Sequence, residues 1–552
     1  MVAVEPTEAL TAARTYEVHT PTRARTRAPL GLAITSLVVG ACFAFPVLYL
    51  LWHDAGLGTG FVDVLRAEDI GEPLRNTLVL ATSVAVAATA LGTAVAWLVT
   101  RTDLPGRRAW RVVVPLPLVM PSFVGAFTLI AAFSDGGLVD TLVGFDRAPR
   151  IEGFWAAFLV LTLLTYPYVY LPVAARLTAL PRSLEESGRA LGRSPRAVFR
   201  SVVLPQCTGA MWAGGLLVFL YTLSEFGSVQ LLHYETLTRA IFASWLFDRD
   251  VAMSMSLVLA VIALIVVIAE RTVARRRLNT EAVSPASDAV RNELGRWRWP
   301  AFAFVAAVIS TALLVPVAVL IHWTARGLFG SAQLDAADLV DPAVTTALLG
   351  LGAALVTVLF VLPVAFLTVR HRSFVGEVSN AVIVSGFALP GLVLALSIVF
   401  FVVQSSALSD LVYQTFALLV FAYAVHFGSQ ALRSSQVAVG GVPRRVEDAA
   451  RSLGAGRWRR LGTVQLPLMR AGLLAGAGLV LLSTMKELPA TLILAPPDTE
   501  TLATDIWHST ETGHFAQAGL SALVLLALSA VLTYALTIRP AAHAGRLMRS
   551  SS

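Results

Sequence analysis

Three ionisable residues stand where ionisable residues are costly. Lys486, the only lysine among 552 residues, and Glu487 lie in an apolar stretch at 471–494, and Glu225 takes the matching place in another at 208–232. A charge held in hydrocarbon costs several kcal/mol and is kept facing a bundle interior or a water-filled path. Pro489 just beyond the second pair, and Gly227 at its counterpart, would break a helix there and free its carbonyls. Two accounts fit. Glu225 and Glu487 line a translocation path with Lys486 and Pro489, where carboxylate oxygens attract a hard cation in passing. Alternatively the group is structural, with Lys486 neutralising one glutamate while the other takes a hydrogen bond. His53, His233, His371, His426, His508 and His514 show no HxxxH or Cys/His spacing, so no fixed metal site is expected. Tyr166, Tyr168 and Tyr170 around Pro167 read as interfacial or core aromatics, and Cys42 and Cys207 form neither a disulfide framework nor a CxxC pair. No Ser/His/Asp spacing marks a catalytic set.

The elements that must carry these residues are membrane helices. Of the chain, 56% is hydrophobic and 14% charged, with a mean hydropathy of +0.72, which excludes an ordinary soluble enzyme. Apolar stretches long enough to cross about 30 Å of hydrocarbon fall at 30–52, 74–100, 112–134, 154–178, 208–232 and 253–270, then at 300–323, 343–369, 379–404, 411–432, 471–494 and 516–538. The first lacks a small-residue cleavage site and reads as a retained span. Sorting the 41 arginines by alternating loops puts 34 on the side of the N-terminus, and 20 of the 35 acidic residues fall on the other, among them Asp63, Glu68, Asp69, Asp335, Asp338, Asp341, Asp498 and Glu500. The net charge of +7 is therefore a topology signal that places both termini in the cytoplasm, not a nucleic-acid surface. Arg14, Arg23, Arg25 and Arg27 in the tail, and Arg271, Arg275, Arg276 and Arg277 in the linker, serve topology or touch anionic lipid.

The chain repeats itself. An offset of 262 aligns 181–205 with 443–467, with nine of 25 residues identical, and an offset of 269 aligns Arg101 with Arg370 and Pro121 with Pro390. The expected divisions are a basic tail (1–29), a first repeat of six spans (30–270), a cytoplasmic linker with Ser284, Pro285 and Ser287 (271–299), a second repeat (300–538) and a short tail (539–552). Each half begins and ends on the same side, so the halves are parallel repeats about an axis along the membrane normal, with one pathway between them.

Between the fourth and fifth spans of each half, on the arginine-rich side, lie the most informative segments: LPRSLEESGRALGRSPRAVFRSVVLP from Leu180 and VPRRVEDAARSLGAGRWRRLGTVQLP from Val442. Pro181 and Pro443 suit a first helical position, followed by first-turn acids Glu185 and Glu186, then Glu447 and Asp448. Leu184, Ser187, Gly188 and Leu191, like Val446, Ala449, Ala450 and Leu453, recur at helical spacing. Gly192 and Gly454 suit the left-handed residue that ends a helix. Ser194 and Pro195 suit the cap and start of a second helix ending near Leu204 and Pro205. Two short helices joined by a glycine turn make a knob whose small-residue face lets another protein approach. An amphipathic loop helix lying on the membrane is the plainer alternative.

These loops resemble the EAA motif of ATP-binding-cassette importer permeases, carried here by Glu186, Ser187, Gly188, Gly192, Leu204 and Pro205, and by Asp448, Ala449, Ala450, Gly454, Leu466 and Pro467. The first copy departs at both alanines and the second at the acid. The resemblance spans roughly 70–270 and 340–540. It implies an all-α type I importer permease of about 12 transmembrane helices, with Glu185, Arg189, Glu447, Arg451 and the motif residues docking an ATPase subunit. A further similarity, to fused ferric-iron permeases, rests on Met485–Leu494 and on Thr501, Leu502, Ala503 and Thr504. No GxxxxGK[ST] loop exists, and none is possible with one lysine inside a span. ATP and Mg are therefore expected on a partner, an ATPase in two copies, and an extracytoplasmic binding protein is expected to deliver the substrate. The expectation is a multi-pass plasma-membrane permease, not an enzyme, importing ferric iron. Thiamine, polyamine or an oxyanion are alternative cargoes, and a secondary carrier is an alternative mechanism.

Overall fold

The computed structural model describes residues 28–58, 61, 66, 70–144, 149–278, 292–329, 336–371, 373–386 and 389–533. The N-terminal arginines, Asp63, Glu68, Asp69, Ser284, Pro285, Ser287, Asp335 and the C-terminal tail lie outside the described residues, as do the side chains of Arg271, Arg275, Arg276 and Arg277. Among the described residues, eleven helices are long and apolar enough to cross a membrane, or twelve if Phe374–Gly386 and Gly391–Val403, bent by 110°, form one span. The chain is an all-α, two-repeat membrane protein. Leu348, Leu355 and Leu359 on one face of the Val340–Phe366 helix are exposed, as befits a lipid-facing stripe, while Ala353, Ala354 and Val361 are buried. Small residues bring backbones together: a Cβ on Gly92 would lie 2.7 Å from the Tyr166 carbonyl, and one on Gly214 2.7 Å from Val169 Cα.

Several spans differ from their hydropathy limits. The third runs over Ser122–Val143 rather than 112–134, the fifth over Phe199–Leu223 rather than 208–232, and the eleventh over Arg457–Met485 rather than 471–494. Apolarity alone does not separate a span from an irregular segment buried in protein at membrane depth. Residues 224–232 and 486–494 are such segments: the chain breaks at Ser224–Phe226 and Lys486–Leu488, then forms short helices Gly227–Leu231 and Pro489–Leu494. Glu225, Lys486 and Glu487 thus sit at helix breaks, not inside spans. The sixth-span helix also continues past 270, to Leu278.

The halves are not spatially separate. The Leu30–Leu57 helix packs against Phe374–Gly386 and Val340–Phe366 of the second half. Ser379 Oγ donates to the Ser36 carbonyl at 2.9 Å, and Phe43 fills the space above Gly428. Reciprocally, the Val315–Phe329 helix of the second half packs on Ser122–Phe133 of the first, with Trp323 Nε1 donating to the Ala131 carbonyl at 2.9 Å.

Candidate functional site

Each repeated loop folds as a knob. Helices Arg182–Ala190 and Arg444–Ser452 start after Pro181 and Pro443, which occupy the cap with extended backbone rather than the first helical position. Gly192 and Gly454 take left-handed φ of +75° and +79° and turn the chain. Ser194 Oγ accepts from the Ala197 N–H at 3.3 Å, capping Pro195–Val198. The second helix does not stop at Pro205: it runs through a π-helical stretch, Phe199–Val203, into the Leu204–Leu223 span, and Arg457–Arg460 likewise runs through Leu461–Gln465 into Leu466–Met485. A proline ring clashes with the carbonyl four residues back. The widened turn, in which Leu204 N–H bonds the Phe199 carbonyl and Leu466 N–H that of Leu461, takes in Pro205 and Pro467 with the helix continuing into the span.

Beneath each knob lies an ion pair. Arg101 Nη1 meets Glu185 Oε1 at 2.8 Å, and its other Nη donates to the carbonyls of Leu177 at 2.5 Å and Leu180 at 3.5 Å. In the second half Arg370 meets Glu447 Oε1 at 2.8 Å and donates to the Val439 and Val442 carbonyls at 2.9 and 2.8 Å. One arginine at the end of each second span thus ties the end of the fourth span to the knob. Both arginines were visible as an aligned pair in the repeat, but nothing in the spacing disclosed their partners. The first pair is closed off, with side chains 1% and 5% exposed; the second is 13% and 21% exposed.

The motif acids Glu186 and Asp448 point outward instead, as do Ser187, Arg189, Ala449 and Arg451. Leu191, Leu453 and Trp458 are among the most exposed large apolar side chains of the molecule. Gly188 is turned inward, where a Cβ would stand 3.2 Å from Val198 Cγ2, so this small residue packs the knob's own two helices rather than offering a face to a partner.

At the helix breaks the glutamates are held by parallel but unequal sets. Glu225 Oε1 accepts from Ser122 Oγ at 2.8 Å and from the Ser228 N–H at 2.9 Å. Glu487 Oε1 accepts from the Ala490 N–H at 3.1 Å, and His426 Nε2 lies 3.9 Å from its other oxygen. Ser122 and Gly391 correspond at the offset of 269, and a Cβ on Gly391 would stand 2.6 Å from Glu487 Oε1. Lys486 Nζ donates to the Leu118 carbonyl of the first half at 3.1 Å. It therefore does not neutralise a glutamate, and that part of the structural alternative falls; both carboxylates are met by neutral donors. Pro489 begins the short helix after the second break. The breaks adjoin each other: Gly227 packs under Phe123 and Leu488, and Phe226 stacks on Trp507 with centroids 5.7 Å apart. His426 and Ser122 escaped the sequence because they sit far along the chain from the glutamates.

Twelve or so membrane helices in two parallel repeats, with a matched knob on each, define an importer permease of the type I fold. The chain belongs to the binding-protein-dependent transport system inner membrane component family, whose model matches twice, at residues 88–279 and 361–539. It is 31% identical over 512 residues to the Fe(3+)-transport system permease protein FbpB 2 of Haemophilus influenzae, covering 92% of this chain and 97% of that one. More local similarity links it to the sulfate transport system permease protein CysT of Synechococcus elongatus, 27% identical over 34% of this chain and 68% of the relative. A probable molybdenum ABC transporter permease of Haloferax volcanii is 30% identical over 34% of this chain and 70% of its own length.

Proposed function

We propose that this permease forms the pathway for ferric iron uptake, driven by ATP hydrolysis on two copies of a separate ATPase subunit and fed by an extracytoplasmic binding protein. The single observation that carries the docking role is the repeated knob seated on an arginine–glutamate pair. Two outward faces of like construction suit two copies of one partner. With both termini cytoplasmic, residues 181–205 and 443–467 face ATPases that hold ATP and Mg, so this chain binds no cofactor of its own. Closure of the ATPases moves the knobs, and the continuous helices through Pro205 and Pro467 carry that motion as rigid levers to the breaks at Glu225 and Glu487.

The cargo rests on the similarity to the Fe(3+) permease over nearly the whole chain, and the chemistry at the breaks agrees. Two carboxylates beside a path suit a hard cation. They would repel a sulfate- or molybdate-like oxyanion, the cargo class that the local relatives' names suggest. The test is uptake of radioactive iron, sulfate and molybdate in cells lacking the chain, complemented with the parent or with Glu225→Gln plus Glu487→Gln. Iron uptake should require the parent and fall in the double variant, with the protein still in the membrane and still retaining its ATPase. Loss of sulfate or molybdate uptake instead would replace the cargo, and unchanged iron uptake in the double variant would remove the glutamates from the pathway.

A further inference from the structure

The two knobs are built alike but held differently. Where the linker re-enters the described structure, Asn292 runs as a short parallel bridge beside Thr102. Its N–H donates to the Arg101 carbonyl at 2.8 Å, and the Leu294 N–H donates to Asp103 Oδ1 at 2.9 Å. The Asn292 side chain reaches the knob itself, its Oδ1 accepting from Arg189 Nη2 at 2.7 Å. A shallow recess lined by Trp97, Arg101, Glu185, Arg189, Phe199 and Asn292 marks where second span, knob and linker meet. In the second half the Arg370 carbonyl is instead met by the guanidinium of Arg444, from the knob itself, at 3.4 Å. Arg189 and its repeat counterpart Arg451 are both exposed, but among the described residues only Arg189 has a side-chain hydrogen bond to the linker end, and the Leu367–His371 segment lies against the Leu30–Leu57 and Phe374–Gly386 helices instead.

We infer that Asn292 is a positioning residue: the end of the inter-repeat linker straps the first knob to the second span, so that the two knobs present themselves with unequal freedom. Three bonds arise from the linker end. Two fix it to backbone and to Asp103, and the third, charge-assisted through Arg189, passes that anchorage to the knob. The strap also covers the Arg101–Glu185 pair, which accounts for its being more closed than Arg370–Glu447. Arg189 and Arg451 are identical in sequence and unequal in circumstance, because among the described residues only Arg189 meets the linker end.

The effect on transport rests on the docking role proposed above; the unequal freedom does not, and is measured first. In the full chain, reconstituted in lipid nanodiscs with Cys42 and Cys207 changed to serine, spin labels are placed singly at Leu191→Cys and Leu453→Cys, both exposed. The label at 191 should be the less mobile. Asn292→Ala should raise its mobility to the level at 453, Arg189→Ala should do the same, and Asn292→Asp, which keeps an acceptor for Arg189, should leave it slow. The label at 453 should not respond to any of the three. Equal mobility at 191 and 453 in the parent, or no change at 191 on Asn292→Ala, would overturn the inference. In the assembled transporter, Asn292→Ala should lower cargo moved per ATP hydrolysed severalfold, with restoration by Asn292→Asp. If the labels behave as stated and this ratio stays fixed, the strap stands and the docking role of the first knob is what fails.

Discussion

At the scale of single residues, the two arginine–glutamate pairs are the same chemistry in different surroundings, so their loss should be unequal. Removing one partner of the closed pair leaves a desolvated charge and costs roughly 3–5 kcal/mol, whereas the second pair, only partly buried, lets solvent reach the charge left behind and should cost less. Glu185→Ala should therefore lower the unfolding midpoint of the purified protein well beyond Glu447→Ala, read by thermal denaturation in detergent. Gly391 offers a second test. The atom nearest a Cβ there is the movable end of Glu487, so Gly391→Ala should shift that carboxylate away from the Ala490 N–H, with the variant's folding checked by its denaturation midpoint. Iron uptake should fall, if the position of that oxygen matters as proposed. The sequence displayed the glutamates because charge in an apolar run is conspicuous. It hid Ser122, Gly391 and His426 because their significance is purely one of place, and it suggested a Lys486–glutamate pair that the Leu118 carbonyl supplants.

At the scale of elements, the knobs were the most legible part of the chain, since each of their devices is local: a proline and acids at the start, a glycine at the turn, a serine cap. What local signals missed was continuity. Pro205 read as a stop, yet a π-turn there, matched by one before Pro467, lets the helix pass, so knob and span are one lever. Replacing Gly192 or Gly454 by alanine, at φ values that cost an L-residue about 1–2 kcal/mol, should loosen the turn. Co-purification of the ATPase subunit should drop for either variant and nearly vanish for both. The limits of the spans were the least legible, because apolar residues buried in a re-entrant break look like residues facing lipid. Only the periodicity of exposure, as along Leu348, Leu355 and Leu359, tells them apart.

At the scale of the molecule, the twofold repeat was visible in the sequence and the crossing-over of the first span was not, because helix–helix partners in lipid are chosen by shape rather than by hydropathy. The contact between Phe43 and Gly428 gives a test. A Cβ at 428 would overlap the Phe43 ring, so Gly428→Ala should destabilise by about 1–3 kcal/mol through overpacking, and Phe43→Leu should restore part of that loss in the double variant. Additive losses in such a cycle would deny the contact. The same crossing-over bears on how the protein is made. Ser36 must wait for Ser379, which lies 343 residues further along, and at about 5–20 residues per second the ribosome takes roughly 20–70 s to deliver it. During that interval the earliest helix stands in the bilayer with its polar edge unmatched, a natural client for whatever insertion machinery shelters unassembled spans.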